Sequence, residues 1–273
     1  MHRSEAIAFL TATYSALAGE KDLSPNNLAV NQRLGALVTT LQLWHTRAFG
    51  ADLADDPSLA EVVRQLPLLC GIAECEMEKW WARRILASNC PGAQAVEAFW
   101  YLDNYRALCQ AEYKLVGGGK PEQFAFLGSG ALPMTAILLA QDHRDIQMRC
   151  VDCDEEACEL ADLLVRRLNL SERVSISQMR AENFTPRREE TVICASLLQA
   201  PGLFAALQRA GAERLIIRDA EGVYRFCYRP AALPGTGYVE RGRAPLSSRR
   251  INTSRYFEAA RTSGLDPEAQ AAI

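Results

Sequence analysis

The amino-acid sequence predicts an α/β protein in which an all-α N-terminal part is followed by a part built on a parallel sheet. Apolar residues recur at helical spacing over 34–49, 59–87 and 95–116, and strand signals are scarce in this part. Further along, short apolar segments alternate with amphipathic ones, which is typical of a parallel sheet covered by helices. The run Gly-Gly-Gly-Lys-Pro at 117–121 interrupts both patterns, so we place a domain boundary there.

The predicted organisation has three regions: a helical domain over residues 1–116, an α/β domain over 120–260 and a C-terminal tail over 261–273. The predicted strands of the α/β domain are 124–130, 146–154, 174–179, 191–198 and 214–220, and its helices are 132–141, 155–170 and 201–211. Beyond about residue 235 the chain is rich in glycine, proline and arginine, and we expect it to become partly helical after that stretch.

Composition places the chain among ordinary globular proteins. It has 273 residues, of which 49% are hydrophobic and 23% are charged. The formal net charge of −3 argues against a nucleic-acid partner, because such surfaces are normally basic. No apolar run reaches membrane-spanning length, and the first residues lack the pattern of a signal peptide. The nine cysteines stand mostly singly in apolar segments and complete no zinc pattern, so we expect reduced thiols, no metal and a cytoplasmic location.

A glycine-containing turn follows the first predicted strand. Gly128, Ser129 and Gly130 stand where a strand passes into a helix, and glycines there let a ligand approach the backbone. Asp152 ends the next predicted strand, where an acid accepts hydrogen bonds from a ribose diol. Pro133 replaces the third glycine of a dinucleotide-binding motif, so the turn fits S-adenosylmethionine enzymes better. A tight turn without a ligand is the alternative.

Further residues beside this turn are predicted to contact S-adenosylmethionine. Leu132 and Pro133 follow its second glycine, and Cys153 follows the predicted ribose-binding acid. Ala181 and Glu182 come directly after the third predicted strand, where S-adenosylmethionine enzymes often contact adenine. A solvated loop acid is the alternative interpretation of Glu182.

Several segments together resemble nicotianamine synthase and its bacterial relatives, the opine-metallophore aminobutanoyltransferases. The similarity runs collinearly from about residue 20 to about residue 255. The segments that carry it are, in chain order, LLCGIAECEMEKWW, FWYLDNYRALCQAEY, FLGSGALPMTAILLA, VDCDEEACELA, LIIRDAEGVYRFCYRP and RRINTS. Two positions depart from the family pattern, because Ala131 stands in place of a proline and Cys158 in place of an asparagine.

The resemblance implies a helical lid over a Rossmann-like domain that binds S-adenosylmethionine, with the reaction in the cleft between them. It implies transfer of the 3-amino-3-carboxypropyl (aminobutyrate) group to an amine, with release of methylthioadenosine. The sequence is most similar to the pseudopaline branch of opine-type metallophore biosynthesis, so L-histidine is the leading acceptor and an opine dehydrogenase would take the product. No metal is implied, and a homodimer is left open.

The resemblance also implies roles for individual residues. Glu78 matches the last Glu of the family segment A-E-x-x-x-E and is the predicted base for the acceptor amine. Glu74 lies one turn earlier on the same helix face and is predicted to bind substrate. Tyr105 is predicted to donate its hydroxyl to the aminobutyrate carboxylate, with Asn104 as a second donor, and Arg218 to clamp a carboxylate. Solvated helix acids, a core tyrosine and a structural ion pair are the alternatives.

Aromatic and basic residues outside these positions have two interpretations each. Trp80, Trp81, Trp100 and Tyr101 are expected to pack the core and the lid, and an aromatic face against the sulfonium or a histidine ring is the alternative. The arginines between 241 and 255 are expected to solvate a surface tail, and covering the bound S-adenosylmethionine is the alternative.

Three other functions stay open on the sequence. The first is an S-adenosylmethionine-dependent methyltransferase, which the by-product of the reaction would distinguish. The second is a binding module that senses S-adenosylmethionine without turnover. The third is nicotianamine synthesis proper, in which aminobutyrate transfer is repeated.

Overall fold

The computed structural model of the chain describes residues 2–45, 52–117, 123–247 and 250–260. The predicted tail over 261–273 lies outside the described residues, and so does most of the predicted linker. Within the described ranges, no helix is both long enough and apolar enough to cross a membrane.

The helical spacing of the N-terminal part produces five α-helices in the described residues. The segment 95–116 forms two helices rather than one, with a turn at which Phe99 is buried while Trp100 is 64% exposed. Successive residues of a helix point about 100° apart, so three consecutive aromatic residues cannot all face one core, and the turn separates them. The helices are α1 (Arg3–Ala18), α2 (Leu28–His45), α3 (Ala60–Leu86), α4 (Gly92–Glu97) and α5 (Leu102–Leu115).

Seven strands in the described residues form one mixed sheet with the order β3-β2-β1-β4-β5-β7-β6. The first five are parallel, β7 runs antiparallel to β5, and β6 runs antiparallel to β7. The strand order reverses beside β1, and ligands of open α/β sheets bind outside the carboxyl ends of the strands at such a point. The strands are β1 (Gln123–Leu127), β2 (Gln147–Asp152), β3 (Val174–Gln178), β4 (Glu190–Cys194), β5 (Arg214–Asp219), β6 (Tyr238–Ala244) and β7 (Thr253–Ala259), and the helices between them are α6 (Met134–Asp142), α7 (Glu155–Arg167) and α8 (Leu203–Arg209).

The five parallel strands confirm the sequence prediction, whereas the segment from about residue 235 to residue 260 differs from it. The stretch rich in glycine, proline and arginine contains β6, and the region expected to become partly helical after it forms β7 instead. β7 pairs along β5 from Arg214 opposite Glu258 to Asp219 opposite Thr253. The open edge of β5 carries backbone donors and acceptors that need hydrogen-bond partners, and β7 provides them. Such pairing leaves no local signal in the sequence of β7.

The hydrophobic core joins the two parts of the chain. One cluster contains Ile85 of α3 together with Phe126 of β1. Another contains Leu10 and Trp44 of the first two helices together with Tyr224, which lies in a short turn after β5. Because buried clusters cross the predicted boundary, α3 is held at a defined position above the sheet.

Candidate active site

A cavity of about 470 Å³ lies at the carboxyl ends of β1, β2 and β4. Its walls are the loops that follow these strands, the middle of α3, the first turns of α5 and the segment 250–252. It therefore occupies the position at which this type of sheet binds ligands. We refer to it as the glycine-loop cavity.

The loop between β1 and α6 is shaped to admit a ligand. Gly128 has a φ of +73° and Gly130 a φ of +68°, in the left-handed region where a side chain is strained. The backbone N–H groups of Gly128 and Ser129 donate to the carbonyl of Val151, at 2.8 and 3.2 Å. The Ser129 hydroxyl is buried beside the cavity and has no hydrogen-bond partner in the described residues. A buried hydroxyl without a partner is costly, so this loop fits a ligand that supplies one.

Asp152 at the end of β2 holds this loop in place. Its Oδ2 accepts a hydrogen bond from the Gly130 N–H at 2.8 Å, and its Oδ1 accepts one from the Asp154 N–H at 3.0 Å. Each carboxylate oxygen can accept a second hydrogen bond, so a ribose hydroxyl still finds an acceptor here. Asp152, the residue predicted to bind the ribose, therefore also stabilises the conformation of the loop.

The other residues predicted to contact S-adenosylmethionine lie around the same cavity, with one exception. Those that line it are Leu132, Cys153, Ala181 and Glu182. Pro133 precedes the first turn of α6 and is not among the described lining residues, whereas Met134 is. Glu182 is held ionised, since a hydrogen bond from its own backbone N–H and the nearby Arg180 lower its pKa. Among the described residues, no three His, Cys, Asp or Glu side chains gather as metal ligands.

Glu78 reaches from α3 onto the glycine loop. Its carboxylate accepts hydrogen bonds from the backbone N–H groups of Ala131 and Leu132. A Cβ built on Gly130 would overlap Glu78 Oε2 and lie 3.0 Å from its Cδ, so only glycine leaves room for this contact. Burial, followed by the negative charges of Glu74 and Asp152, raises the pKa of Glu78 well above its ordinary value. The group is therefore a stronger base than an exposed carboxylate.

Glu74 lies one helical turn before Glu78 and lines the same cavity. Burial raises its pKa to about 7, although a hydrogen bond from the Tyr228 hydroxyl and the charge of Arg218 act in the opposite direction. Two carboxyl groups on one helix face therefore have raised pKa values, because burial disfavours both charged forms and the charge of Glu74 adds to the shift of Glu78.

Ion pairs fix α3 against the N-terminus of α7. Lys79, the residue after Glu78, places its Nζ 2.7 Å from Asp154 and 3.1 Å from Glu156. Arg83, one turn later, pairs with Glu156 as well. Asp154 also caps α7 by accepting a hydrogen bond from a backbone N–H of its first turn. The helix that bears the predicted base is thus anchored to the strand end that bears Asp152.

Tyrosine side chains of the α4–α5 region form the far wall of the cavity. Tyr105, Tyr101 and Asn104 all line it. Burial, followed by the negative charges of Glu78 and Glu74, raises the pKa of Tyr105 well above its ordinary value. Tyr105 therefore stays protonated and can donate a hydrogen bond. Asn104 hydrogen-bonds Tyr101, so the polar edges of this wall are connected.

Arg218 lines the cavity, but its guanidinium is already paired. Nε and Nη2 donate to the two carboxylate oxygens of Glu112, both at 2.8 Å, and Nη2 donates to Thr135 Oγ1 at 2.7 Å. Ser254 donates to the same carboxylate at 2.7 Å. The described contacts therefore match the alternative interpretation of Arg218, a buried structural ion pair, rather than a guanidinium that is free to bind a substrate carboxylate.

Sequence reasoning assigned no role to several polar residues that the fold brings to the cavity. These are Ser196, Tyr228 and Asn252. Asn252 Nδ2 donates to Ser196 Oγ at 2.8 Å across 56 residues. Tyr228 and the 250–252 segment fall inside stretches that resemble the family, and that was the only signal available for them. Arg250 was expected to solvate a surface tail, but it lies in the cavity wall, which fits the alternative interpretation that arginines of this stretch cover the bound S-adenosylmethionine.

Fold and cavity together define an α/β transferase of the type that binds S-adenosylmethionine. The family model described as nicotianamine synthase protein matches residues 3–198, so the chain belongs to the nicotianamine synthase family. Its members are S-adenosylmethionine-dependent aminoalkyl transferases, and the chain is an enzyme of that class with S-adenosylmethionine as co-substrate.

Individual relatives are similar at modest identity. An L-histidine 2-aminobutanoyltransferase of Pseudomonas aeruginosa is 29% identical over 189 residues, which cover 67% of this chain and 69% of that protein. Nicotianamine synthase 3 of Arabidopsis thaliana is 34% identical over 110 residues, or 38% of this chain and 34% of that protein. The crystal structure of a mutant of MtNAS in complex with S-adenosylmethionine superposes with a TM-score of 0.80 at 17% identity, covering 93% of this chain and 98% of that one. This likeness confirms the predicted α/β fold.

Proposed function

We propose that this enzyme transfers the 3-amino-3-carboxypropyl group of S-adenosylmethionine to the α-amine of L-histidine and releases methylthioadenosine. The observation that carries the proposal is the position of Glu78, whose carboxylate contacts the glycine loop in the cavity that fits S-adenosylmethionine. A relative that shares 69% of its length with this chain is an L-histidine 2-aminobutanoyltransferase, which supports histidine as the acceptor.

Glu78 supplies the proton acceptor that the reaction needs. The α-amine of an amino acid is mostly protonated at neutral pH and cannot attack carbon in that form. In the transfer, nitrogen bonds to the γ-carbon, the carbon–sulfur bond breaks, and its electron pair goes to sulfur. A carboxylate of raised pKa takes the ammonium proton more readily than an ordinary one, and Glu78 has such a pKa. Glu74 is close enough to attract the same ammonium group electrostatically.

The remaining polar groups provide donors for carboxylates. Tyr105 is held protonated, and its hydroxyl is available to the aminobutyrate carboxylate. Arg250 and Asn252 line the same cavity. We therefore propose Tyr105 and Asn104 as donors to the transferred group, and Arg250 as the cation for a substrate carboxylate in place of the paired Arg218.

The proposal is tested by incubating the purified protein with S-adenosylmethionine and L-histidine and analysing the products by mass spectrometry. We expect one aminobutyrate adduct of histidine and one methylthioadenosine per turnover. S-adenosylhomocysteine as the by-product would contradict aminoalkyl transfer. Nicotianamine formed without added amino acid would instead favour the reaction named for the plant relative.

The wider setting of the reaction rests on the family resemblance. We propose that the product is an intermediate of an opine-type metallophore, that an opine dehydrogenase consumes it, and that the enzyme works in the cytoplasm. We also propose that residues 1–116 act as a lid domain over an S-adenosylmethionine-binding domain at 120–260. The placement of Glu78 and Tyr105 on α3 and α5, with the glycine loop below them, supports this division. A homodimer is part of the same proposal, and ultracentrifugation tests it.

A further inference from the structure

A second cavity of about 520 Å³ lies between α2, α3 and the turn that precedes α5. Three of the four tryptophans of the chain line it, namely Trp80, Trp81 and Trp100. The rings of Trp80 and Trp81 are 5.2 Å apart, and those of Trp100 and Tyr101 are 5.0 Å apart. We refer to this cavity as the tryptophan chamber. Its aromatic walls suit a flat side chain, which packs well by stacked or edge-on contact.

The described walls of the tryptophan chamber offer no cation to pair with an anion. Among the described residues that line it, Glu74 is the only charged one, and no lysine, arginine or histidine is present. Its neutral polar groups include the side-chain amides of Asn31 and Gln32. A carboxylate placed there would meet no cation of the described walls and would face the negative charge of Glu74.

The tryptophan chamber and the glycine-loop cavity adjoin, because five residues line both. These are Glu74, Tyr101, Tyr105, Tyr228 and Ile251. The neighbours of Ile251 in the sequence, Arg250 and Asn252, line only the glycine-loop cavity. Arg250 Nε donates to Ser247 Oγ at 3.3 Å, and no carboxylate of the described residues pairs with this guanidinium. Among the described residues, a cation therefore lies on the glycine-loop side of the junction and none on the side of the tryptophan chamber.

We infer that the acceptor amino acid lies across this junction, with its α-carboxylate at Arg250 and its side chain in the tryptophan chamber. The chamber accordingly admits flat, uncharged side chains and excludes carboxylates. This inference rests on the proposed function, because it requires an amino-acid acceptor. It also limits the enzyme to one transfer: a product that returned as acceptor, through the amine of its new arm, would carry its old carboxylate into the chamber.

Binding is measured separately from turnover, by the fluorescence of the tryptophans that line the chamber. The full-length protein is saturated with methylthioadenosine and titrated at about pH 8 with L-histidine, L-glutamine and L-glutamate. Glutamine and glutamate have nearly the same shape and differ in charge. We expect glutamine to bind at least about tenfold more tightly than glutamate, and histidine more tightly than either. Equal or tighter binding of glutamate, or no saturable binding of any of the three, would overturn the inference.

A substitution in the chamber wall reverses the selectivity if the inference is correct. Gln32→Lys adds a cation to the chamber, and Gln32→Met is the uncharged control of similar length. We expect Gln32→Lys to bind glutamate about tenfold more tightly than Gln32→Met does. Equal glutamate affinity in the two variants would count against the inference. If the affinities follow the expected order but histidine releases no methylthioadenosine, the inference is supported and the proposed function alone is contradicted.

Discussion

The close contact between Gly130 and Glu78 predicts that adding a single methyl group at position 130 disturbs the site. Gly130→Ala introduces a Cβ at a backbone φ of +68° that would overlap Glu78 Oε2. The space is bounded by the glycine loop on one side and by α3 on the other, and Lys79 fixes α3 through its ion pairs with α7. The added methyl group therefore displaces the Glu78 carboxylate rather than the helix.

The expected loss of turnover follows from the size of that displacement. Real Cβ atoms essentially never approach a neighbour within 3.0 Å, so Oε2 must retreat by about 1 Å or more. A misplacement of about 1 Å in a catalytic group costs about 100-fold in rate. Left-handed backbone costs a non-glycine residue about 1–2 kcal/mol, and this amount lowers the melting temperature by only a few degrees in a chain of this size.

The assay is methylthioadenosine release from S-adenosylmethionine and L-histidine, with thermal unfolding recorded in parallel. Gly202→Ala is the matched control, because Gly202 has a φ of +78° and no atom lies within 4 Å of the position that an added methyl group would take. We expect similar losses of melting temperature in the two variants. Turnover should fall about 100-fold only in Gly130→Ala.

Two results would refute this reasoning. One is a Gly130→Ala enzyme with near-normal turnover, which would show that the Glu78 position is not critical. The other is an equal loss of turnover in Gly202→Ala, which would show that backbone strain alone explains the defect. A further check uses Glu78→Ala as background: adding Gly130→Ala there should cost little more, since the displaced group is already gone.

Further predictions concern the carboxylates around the cavity. Glu78→Gln should lower turnover by about 10²–10⁴-fold with S-adenosylmethionine binding retained, and higher pH should partly restore the rate in a pH–rate profile, because free amine then forms without a base. Asp152→Ala should weaken S-adenosylmethionine binding by about 1–3 kcal/mol in calorimetry. An unchanged affinity would contradict the prediction that Asp152 binds S-adenosylmethionine. Glu74 has a pKa of about 7 in the folded protein against 4.5 ordinarily, so its contribution to stability is present below about 4.5 and is lost as pH rises through about 7. The melting temperature of Glu74→Gln should therefore rise relative to that of the wild type between about pH 4.5 and pH 7 and keep a constant difference above that range. Glu112→Gln should destabilise the fold by about 3–5 kcal/mol in denaturant titration, because it leaves the buried Arg218 charge without its partner.

Part of the candidate site could be predicted from local sequence because its signals are local. Gly128 and Gly130 stand where a strand turns into a helix, and Asp152 stands one strand later at the same sheet edge. The spacing of Glu74 and Glu78 places both on one face of a helix, and the structure brings both to the cavity. Their chemical roles rest on the family resemblance and stay predictions.

Other parts of the site depend on residues far apart in the chain. Arg218 finds Glu112 across 106 positions, and neither residue carries a local mark of the other. Arg250 ends a stretch rich in glycine, proline and arginine, for which the sequence predicts a solvated tail. It reaches the cavity wall because β7, which begins at Thr253, adds to the edge of β5 and carries the preceding segment with it.

The sequence by itself determined the succession of helices and parallel strands, the glycine turn and the acidic face of α3. Each of these depends on residues within a few positions of one another, so periodicity and turn chemistry reveal them. Only the tertiary structure decided that 238–244 and 253–259 are strands, that Arg218 is committed to an ion pair, and that a chamber whose described walls carry no cation adjoins the glycine-loop cavity. Strand pairing, ion pairing and the charge of a cavity wall are properties of side chains brought together by folding, and they leave no pattern along the chain.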